Sequence, residues 1–295
     1  MIDLHIHSNC SDGSSTVCEI LEEANRQSLS LLSLTDHNVV DAYDILKEQK
    51  VRKLFSGKII TGIEVTTSVD GEIVELLGYG YDYKKLKELM IGEILTYKDY
   101  KLKECQLAFE AYEERGIVFD KSNIIFDPEV EGCRGAFFKE LLKYPENRKR
   151  LLNEKSEESL TKFTRLEFYN PKSDFYVDQT KIYITFEKTI EIIHKAGGLV
   201  FLAHPYMYSE NITSNMQSII DRFDIDGLEC YYSEFTEEQT EALLKLCDQN
   251  NLLVSGGSDF HGTKRKGVHI GTGYGKLMVD ENRCNKWTAK IENFR

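Results

Sequence analysis

The chain has 295 residues, enough for one large domain or two ordinary ones with a substantial buried core. Hydrophobic residues make up 41% and charged residues 29%, which is typical of a soluble globular protein. A net charge of -12 opposes binding to long nucleic acid or to an anionic membrane surface, although bound metal ions can reverse the field locally. We therefore expect a small partner molecule, with neither a membrane nor a long nucleic acid as partner.

Two features predict a cytoplasmic location. The first residues have neither the basic nor the apolar segment of a signal peptide, and no run of about 18 apolar residues predicts a transmembrane helix. The seven cysteines are scattered, odd in number and without a CxxC pair, so the sequence indicates neither a disulfide framework nor a zinc finger. Reduced thiols in the cytoplasm fit this pattern.

Short apolar runs alternate with amphipathic segments near both ends of the chain. The pattern predicts strands at 2–6, 29–35, 58–65, 71–81, 199–203, 227–231 and 252–256, and helices at 17–27, 42–48, 186–195 and 237–250. Ser15 or Thr16 is the expected cap of the first helix, and a turn is expected at Asp70 and Gly71. Strands that alternate with helices predict βαβ units and a parallel sheet.

The middle of the chain, from about residue 84 to residue 178, differs in composition. It is rich in Lys, Glu and Tyr and mostly helical in pattern, with prolines as breaks. We interpret 84–181 as a mainly helical insertion that interrupts an α/β barrel formed by 1–83 and 182–295, and that covers the barrel mouth as a lid or substrate subdomain. A separate domain in series is the less favoured alternative, because the alternation of strands and helices resumes after it.

A pair of histidines one residue apart lies in the first predicted strand. Because side chains alternate along a strand, His5 and His7 share one face and converge on one point. Polar residues around them, from Asp3 to Asp12, form a strand end where a metal ion could bind. On its own the HxH pattern is not decisive, since a strand histidine is more often a packing or surface residue.

Further strands bring acidic or imidazole side chains to the same region. The residues concerned are His37, Glu64, Glu75, His204, Asp259 and His261. In parallel barrels the carboxyl ends of the strands meet at one rim, where functional side chains gather. The joint pattern therefore predicts a metal centre that uses five of the seven histidines. His194, inside a helix, and His269, without an acidic neighbour, are left out of it.

Five segments together resemble the polymerase and histidinol phosphatase (PHP) family. They are DLHIHSNCSDG, SLTDHNVVDAY, TGIEVTT, LAHP and GGSDFHG, and the resemblance spans residues 1–82 and 183–275. It implies a distorted TIM-like (β/α)7 barrel of the α/β class and hydrolysis of a phosphoester. It also implies two or three divalent metal ions, for which zinc, manganese and iron are the candidates.

The resemblance also assigns ligands. One ion would be held by His5, His7, Glu64 and Asp259, a second by Glu64, His204 and the residue at position 75, and a third by Asp12, His37 and His261. Position 75 departs from the related small phosphatases, which usually have a histidine there. Because a carboxylate is a harder ligand than imidazole, we expect Glu75 to retain the site and to shift the metal preference towards manganese or iron. The alternative is that Glu75 has lost the role and only two ions bind.

The expected nucleophile is a metal-bound hydroxide, since clustered divalent ions activate water and neutralise phosphate oxygens. Asp12, His37 or His261 would then protonate the leaving oxygen. Cations for the phosphate would come from Arg134, Lys181 and Arg265, with Lys264, Lys266 and Arg165 nearby in sequence. Each of these cations alone is better explained as a solvated surface charge. The family's Arg-x-His element appears here as Arg134 without the histidine, which leaves the family substrate open.

The favoured function is a small-molecule phosphatase or phosphodiesterase acting on a nucleotide or sugar phosphate. Alternatives are a histidinol-phosphate phosphatase and a nuclease on short oligonucleotides, the latter weakened by the net charge and by the missing basic stripe. An amidohydrolase-type reaction or a non-catalytic metal-binding module remain as further alternatives. The module is disfavoured because structural metal sites are closed by four ligands, whereas this constellation has more.

Overall fold

The computed structural model describes residues 1–128 and 130–294, and it divides into two compact units. The first unit consists of Met1–Glu93 and Ile184–Arg295, and the second of Ile94–Tyr183. The sequence boundaries of 84 and 181 differ from these because the helix Tyr83–Met90 lies in the first unit. That the second unit acts as a lid stays a prediction.

The first unit is built on one sheet of eight strands. They are β1 (Ile2–Asp3), β2 (Leu31–Leu34), β3 (Lys58–Val69), β4 (Glu72–Tyr79), β5 (Ile184–Thr185), β6 (Leu199–Leu202), β7 (Gly227–Tyr232) and β8 (Leu253–Gly257). The order is β1-β2-β3-β4-β6-β7-β8, and the short β5 pairs with β3. Seven strands thus form a nearly closed barrel, and the predicted TIM-like α/β fold is confirmed.

The helices follow the strands in both halves of this unit. They are Val17–Arg26, Ala42–Leu46, Gln49–Arg52, Tyr83–Met90, Phe186–Lys195, Glu210–Ser214, Met216–Arg222, Glu237–Asn250 and Glu281–Thr288. Short 3-10 helices lie at Pro205–Met207 and Gly262–Lys264. The first helix begins with a capping box, in which the Thr16 side chain accepts from the Glu19 amide and the Glu19 side chain accepts from the Thr16 amide.

The prediction of a parallel sheet is wrong at one strand. β4 runs antiparallel to both of its neighbours, β3 and β6. The cause is the turn that joins β3 to β4, in which Asp70 and Gly71 have φ values of 52° and 78°. A two-residue turn with positive φ at both positions closes a hairpin, whereas a parallel pair needs a long crossover.

The barrel closes between the first strand and the segment that follows the last one. The Leu4 amide donates to the Gly256 carbonyl (3.2 Å), the Asp259 amide to His5 (2.8 Å), and the His7 amide to Phe260 (2.9 Å). The regular ladder of β1 covers only Ile2–Asp3 rather than the predicted 2–6, because the following residues take part in this closure. The same hydrogen bonds bring the HxH pair beside Asp259.

Large apolar side chains pack together beneath this closure. β4 contributes Tyr79, β6 contributes Phe201, and the C-terminal helix contributes Trp287. The Tyr79 hydroxyl donates to the Leu4 carbonyl (2.8 Å), and the Trp287 indole donates to Val254 (2.8 Å). The polar groups of these two buried aromatic side chains are therefore satisfied, and the apolar core packs under the strand ends.

The second unit has its own core. Its helices are Tyr97–Glu114, Arg134–Leu141, Pro145–Arg148 and Leu160–Phe163, with a π-helical turn at Thr164–Phe168 and 3-10 helices at Lys121–Asn123, Glu154–Glu157 and Gln179–Lys181. Tyr112, Phe137, Phe163, Phe168 and Phe175 are buried together at its centre. This aromatic cluster holds the unit together by burial of apolar area.

The closure predicts that Gly257→Ala destabilises the protein. A Cβ atom at position 257 would lie 2.3 Å from the His5 amide nitrogen, so the two chain segments must separate. We expect the free energy of unfolding in urea, with metal chelated, to fall by about 3 kcal/mol. The control is Gly135→Ala, whose Cβ would meet nothing closer than 3.7 Å and whose stability should be unchanged or slightly higher. Equal stability of both variants would contradict the described closure.

Candidate metal centre

The polar side chains lie where strands end at one edge of the barrel. His5 and His7 follow β1, and His37 follows β2. Glu64 lies within β3, three residues beyond the last position of the parallel ladder with β2, and forms an isolated bridge with His37. The strand does not end near Glu64 as the sequence predicted. At this point β3 stops pairing with β2 and continues into the hairpin with β4.

The reversed direction of β4 explains how Glu75 joins this group. Glu75 pairs with Thr66 of β3, so the beginning of β4 lies at the edge where the parallel strands end. The Glu75 carboxylate is about one fifth exposed, at 22%. It lies 3.3 Å from His204 Nε2 and 3.6 Å from His37 Nδ1. The structure therefore brings Glu75 together with the other predicted residues.

Two of the candidate ligands have unusual backbone conformations. His204 follows β6 with φ 24° and ψ 62°, and Asp259 follows β8 with φ 54°. Non-glycine residues at positive φ are strained, and such strain tends to be retained at functional sites. In both cases the conformation aims the side chain at the HxH pair or its partner Glu64.

Glu64 lies at the centre of the cluster and is 1% exposed. Its Oε2 atom is 3.2 Å from His5 Nε2, 3.1 Å from His7 Nε2 and 3.4 Å from His37 Nδ1. Its Oε1 atom is 3.0 Å from His204 Nε2. One buried carboxylate thus faces four imidazoles, each from a different position in the sequence.

The described residues form three groups in which the donor atoms of each group lie within 4.8 Å of one another. They are His5, His7, Glu64 and Asp259; His7, Asp12, His37 and His261; and His37, Glu64 and Glu75. The first is the set that the resemblance assigned to one ion, and the second is another assigned set with His7 added. The third contains His37, whereas the resemblance placed His204 there; His204 contacts Glu64 and Glu75 directly. The ligand roles themselves stay predictions.

The pKa values in the metal-free cluster indicate a strongly negative site. Burial alone would lower the pKa of His7, but Asp259 and Glu64 raise it to about 10. His204 behaves in the same way beside Glu64 and Glu75, with its pKa raised to about 10 against burial. Burial would raise the pKa of Asp259, but His5 and His7 hold it well below its usual range. The carboxylates are therefore ionised and attract positive charge.

The donor set fits a divalent cation. Among the described residues, the buried Nδ1 atoms of His7, His37 and His204 have no hydrogen-bond partner. Imidazole nitrogens and carboxylate oxygens are the ligands that zinc, manganese and iron take in proteins. A divalent cation would neutralise these buried carboxylates, so the donor set suits a metal ion.

Asp12 is the most exposed member of the cluster, at 54%. Burial would raise the pKa of Asp12, but its hydrogen bond with His261 and the nearby His37 and His7 lower it to about 2. A carboxylate that is ionised at neutral pH suits a ligand better than a proton donor. His37 and His261 are then the better candidates among the predicted proton donors.

A buried aspartate that sequence analysis did not assign shapes the loop before Asp12. Asp36 accepts hydrogen bonds from the Ser8 amide, the Ser8 hydroxyl and the Ser11 hydroxyl, each 2.7 Å long. Gly13 completes the loop, since a Cβ there would lie 2.4 Å from the His7 carbonyl oxygen. The only sequence signal was the position of Asp36 directly before His37 at a strand end.

Arg265 is held by acidic groups rather than left free. It pairs with the Asp259 and Glu234 carboxylates and donates to the Tyr232 hydroxyl (3.0 Å). Tyr232 in turn donates to Asp259 Oδ2 (2.9 Å), so its hydroxyl is used in this network rather than free to meet a ligand. The network leaves Asp259 Oδ1 facing His5, His7 and His261. A phosphate bound by Arg265, as predicted, would compete with the Asp259 and Glu234 carboxylates for its guanidinium group.

Three other predicted cations, Arg134, Arg165 and Lys181, belong to the second unit. Arg134 lies 3.3 Å from Glu104 and donates to the Tyr169 hydroxyl (2.8 Å). Together with Arg165 it lines a cavity of about 510 Å³ within that unit. Lys181 is exposed and lies 3.9 Å from Asp178. Their role in phosphate binding stays a prediction.

Among known protein families, the family model of the PHP domain matches residues 3–222 of this chain. The chain belongs to the PHP domain family. The predicted family is thereby confirmed, and with it the class of reaction, which is metal-dependent hydrolysis of phosphoesters.

Several proteins are similar to this PHP protein along most of their length. A 5'-3' exoribonuclease of Haemophilus influenzae is 25% identical over 263 residues, which cover 88% of this chain and 89% of the relative. A 3',5'-nucleoside bisphosphate phosphatase of Chromobacterium violaceum is 24% identical over 277 residues, covering 92% and 90%. A solved structure, described as an amidohydrolase from Chromobacterium violaceum with bound sulfate and no metal, has a TM-score of 0.66 at 21% identity and covers 100% and 98%. The last likeness shows the shared fold.

The described part of this PHP protein contains no helix that is both long enough and apolar enough to cross a membrane.

Metal binding should release protons and strengthen as the pH rises. Because the pKa values of His7 and His204 are raised from 6.5 to about 10, both imidazoles are protonated at neutral pH and a metal ion must displace these protons. The affinity for zinc should therefore increase with pH across the neutral range and level off near pH 10. Calorimetric titration in buffers of different ionisation enthalpy measures the protons released. Binding without proton release would contradict this electrostatic description.

Proposed function

We propose that this PHP protein hydrolyses a small nucleotide or sugar phosphate with two or three divalent metal ions. The observation that carries the proposal is the position of Glu64, one buried carboxylate within 3.4 Å of His5, His7, His37 and His204. A carboxylate with both oxygens engaged can bridge two ions, and paired ions are the arrangement that phosphoester hydrolysis uses. A structural metal site would need only a closed set of four ligands.

The overlap of the three donor groups limits how ions can be shared. One imidazole nitrogen holds one ion, so His7 and His37 each serve a single ion in the simplest arrangement. We assign His7 to the ion with His5, Glu64 and Asp259. His37 then serves the ion with Asp12 and His261, and Glu64 reaches a further ion with Glu75 and His204.

The bound ions would supply an activated water and neutralise the phosphate oxygens. The protein's own side chains are held in position by hydrogen bonds. His261 donates from Nδ1 to the Asp259 carbonyl oxygen (3.0 Å), which fixes the ring and leaves Nε2 facing Asp12 at 3.2 Å. His37 is 25% exposed and is the imidazole that a leaving oxygen could approach from solvent. In the arrangement with only two ions and none at His37, we propose this imidazole as the donor of the proton to the leaving group.

The proposed substrate class is a nucleoside with one or more terminal phosphates. The relative from Chromobacterium violaceum is named for a nucleoside bisphosphate, and the net charge of this chain opposes a long polyanion. Arg134 and Lys181 of the second unit remain the proposed phosphate contacts, with Arg265 as the third.

A panel of phosphates tests the reaction. Protein loaded with manganese should release inorganic phosphate from a nucleoside bisphosphate faster than from histidinol phosphate or a cyclic phosphodiester. His7→Ala should lower kcat/KM by at least about a hundredfold, since two donor groups lose a member. His269→Ala, at an exposed position, is the matched control and should keep full activity. A wild-type protein that hydrolyses amides or lactones but no phosphate would contradict the proposal, as would full activity of His7→Ala.

The second candidate function is removal of nucleotides from the 5' end of a short oligonucleotide. The relative from Haemophilus influenzae is named as a 5'-3' exoribonuclease, and the same metals can cleave a diester. A 5'-phosphorylated dinucleotide separates the two functions. Preferential release of a mononucleotide from it would favour the nuclease, and preferential release of phosphate from a bisphosphate would favour the phosphatase.

Glu75 is proposed to set the metal preference. Replacing its carboxylate by imidazole in Glu75→His should favour zinc over manganese, because imidazole is the softer ligand. The ratio of the zinc and manganese dissociation constants should change by about tenfold or more, measured by competition with a chromophoric chelator. Glu72→His, three positions earlier on the same strand, is the control. An unchanged ratio would show that Glu75 binds no ion.

A further inference from the structure

A buried carboxylate on β7 has contacts that the proposed ligand assignment leaves without a role. Glu229 is 0% exposed and lies between the buried residues Leu228 and Cys230. Its Oε1 atom is 2.9 Å from His5 Nδ1, and its Oε2 atom accepts a hydrogen bond from the His204 backbone amide (2.8 Å). One side chain therefore contacts two candidate ligands that are 199 residues apart in sequence, at positions 5 and 204.

The contact with His5 determines which ring nitrogen is free. A carboxylate oxygen accepts the hydrogen bond of an imidazole N–H group, so the proton between Glu229 and His5 belongs to Nδ1. The other nitrogen, Nε2, is then the one that can offer a lone pair, and it points at Glu64 and Asp259 at 3.2 and 3.4 Å. A carboxylate partner of this kind orients a ligating histidine and makes it more basic.

The contact with His204 supports a strained backbone. His204 has φ 24°, a value that side-chain-bearing residues rarely adopt. Its amide hydrogen is satisfied by Glu229, and in this conformation its Nε2 atom lies 3.0 Å from Glu64 and 3.3 Å from Glu75. Loss of the acceptor would leave a buried amide without a partner and free the residue to relax away from the cluster.

We propose that Glu229 is a positioning residue that sets the tautomer of His5 and the backbone of His204, and so orients ligands of two different ions. The inference rests on the proposed ligand roles of these two histidines. Glu229 itself contacts no substrate. Its two oxygens accept from two N–H donors, and a neutral amide cannot do the same. The NH2 end of an amide would either meet the His204 N–H group or force His5 to carry its proton on Nε2, the nitrogen that faces Glu64.

Three variants separate positioning from packing. Glu229→Gln keeps the shape of the side chain but presents the wrong donor at one end, so metal affinity should fall by about ten- to a hundredfold. Glu229→Ala removes both acceptors but forces no tautomer, so its loss of metal affinity should be smaller, whereas its metal-free melting temperature should be the lower of the two because it leaves a cavity. Glu241→Gln, at an exposed position of helix Glu237–Asn250, is the control for the substitution and should bind metal like the wild type.

The readouts are the zinc dissociation constant and the melting temperature of the metal-free protein, together with the nitrogen resonances of His5 in the zinc-loaded wild type. The proposal is supported if Glu229→Gln binds zinc more weakly than Glu229→Ala but has the higher melting temperature without metal. Wild-type affinity of Glu229→Gln overturns it, as does a His5 that carries no proton on Nδ1 in the loaded wild type. The last measurement does not depend on whether any variant folds. If the wild-type chain binds no metal, the proposed function fails as well, whereas loss of this inference alone leaves metal binding and hydrolysis intact.

Discussion

The burial of Glu64 among four imidazoles is the constraint on which the rest of this structure depends. An ionised carboxylate removed from water is stable only when opposite charge or hydrogen-bond donors surround it. In the metal-free state the protonated histidines supply that charge, which is why the pKa values of His7 and His204 are raised to about 10. A divalent ion supplies the same charge at shorter range and releases the protons. The cluster is thus stable without metal and suited to take it up.

The fold brings these side chains together by two departures from a regular parallel barrel. Closure between β1 and the segment after β8 places Asp259 beside the HxH pair, and Gly257 permits this because no side chain fits there. The hairpin at Asp70 reverses β4 and brings Glu75 to the edge where the other strands end. Both departures depend on local backbone features, a glycine without a Cβ atom and a turn with positive φ. The first determines the position of Asp259 and the second that of Glu75.

Much of this was predictable from the sequence because the signals were local. A histidine pair spaced by one residue, and single polar residues after apolar runs, indicated His5, His7, His37, His204 and Asp259 without any structure. The direction of β4 was missed, although its turn was predicted, because strand–helix alternation elsewhere favoured parallel pairing.

The supporting residues were not predictable in the same way. Glu229 contacts a histidine 224 residues away, and Arg265, which the sequence indicates as a phosphate contact, pairs with Asp259 and Glu234. Such contacts follow from the tertiary structure, and no spacing in the chain indicates them.

The most direct test of the proposed metal centre is anomalous diffraction from crystals grown with manganese. At least two manganese peaks are expected within bonding distance of the Glu64 carboxylate. A map without any peak at Glu64, from protein that hydrolyses phosphoesters, would contradict it.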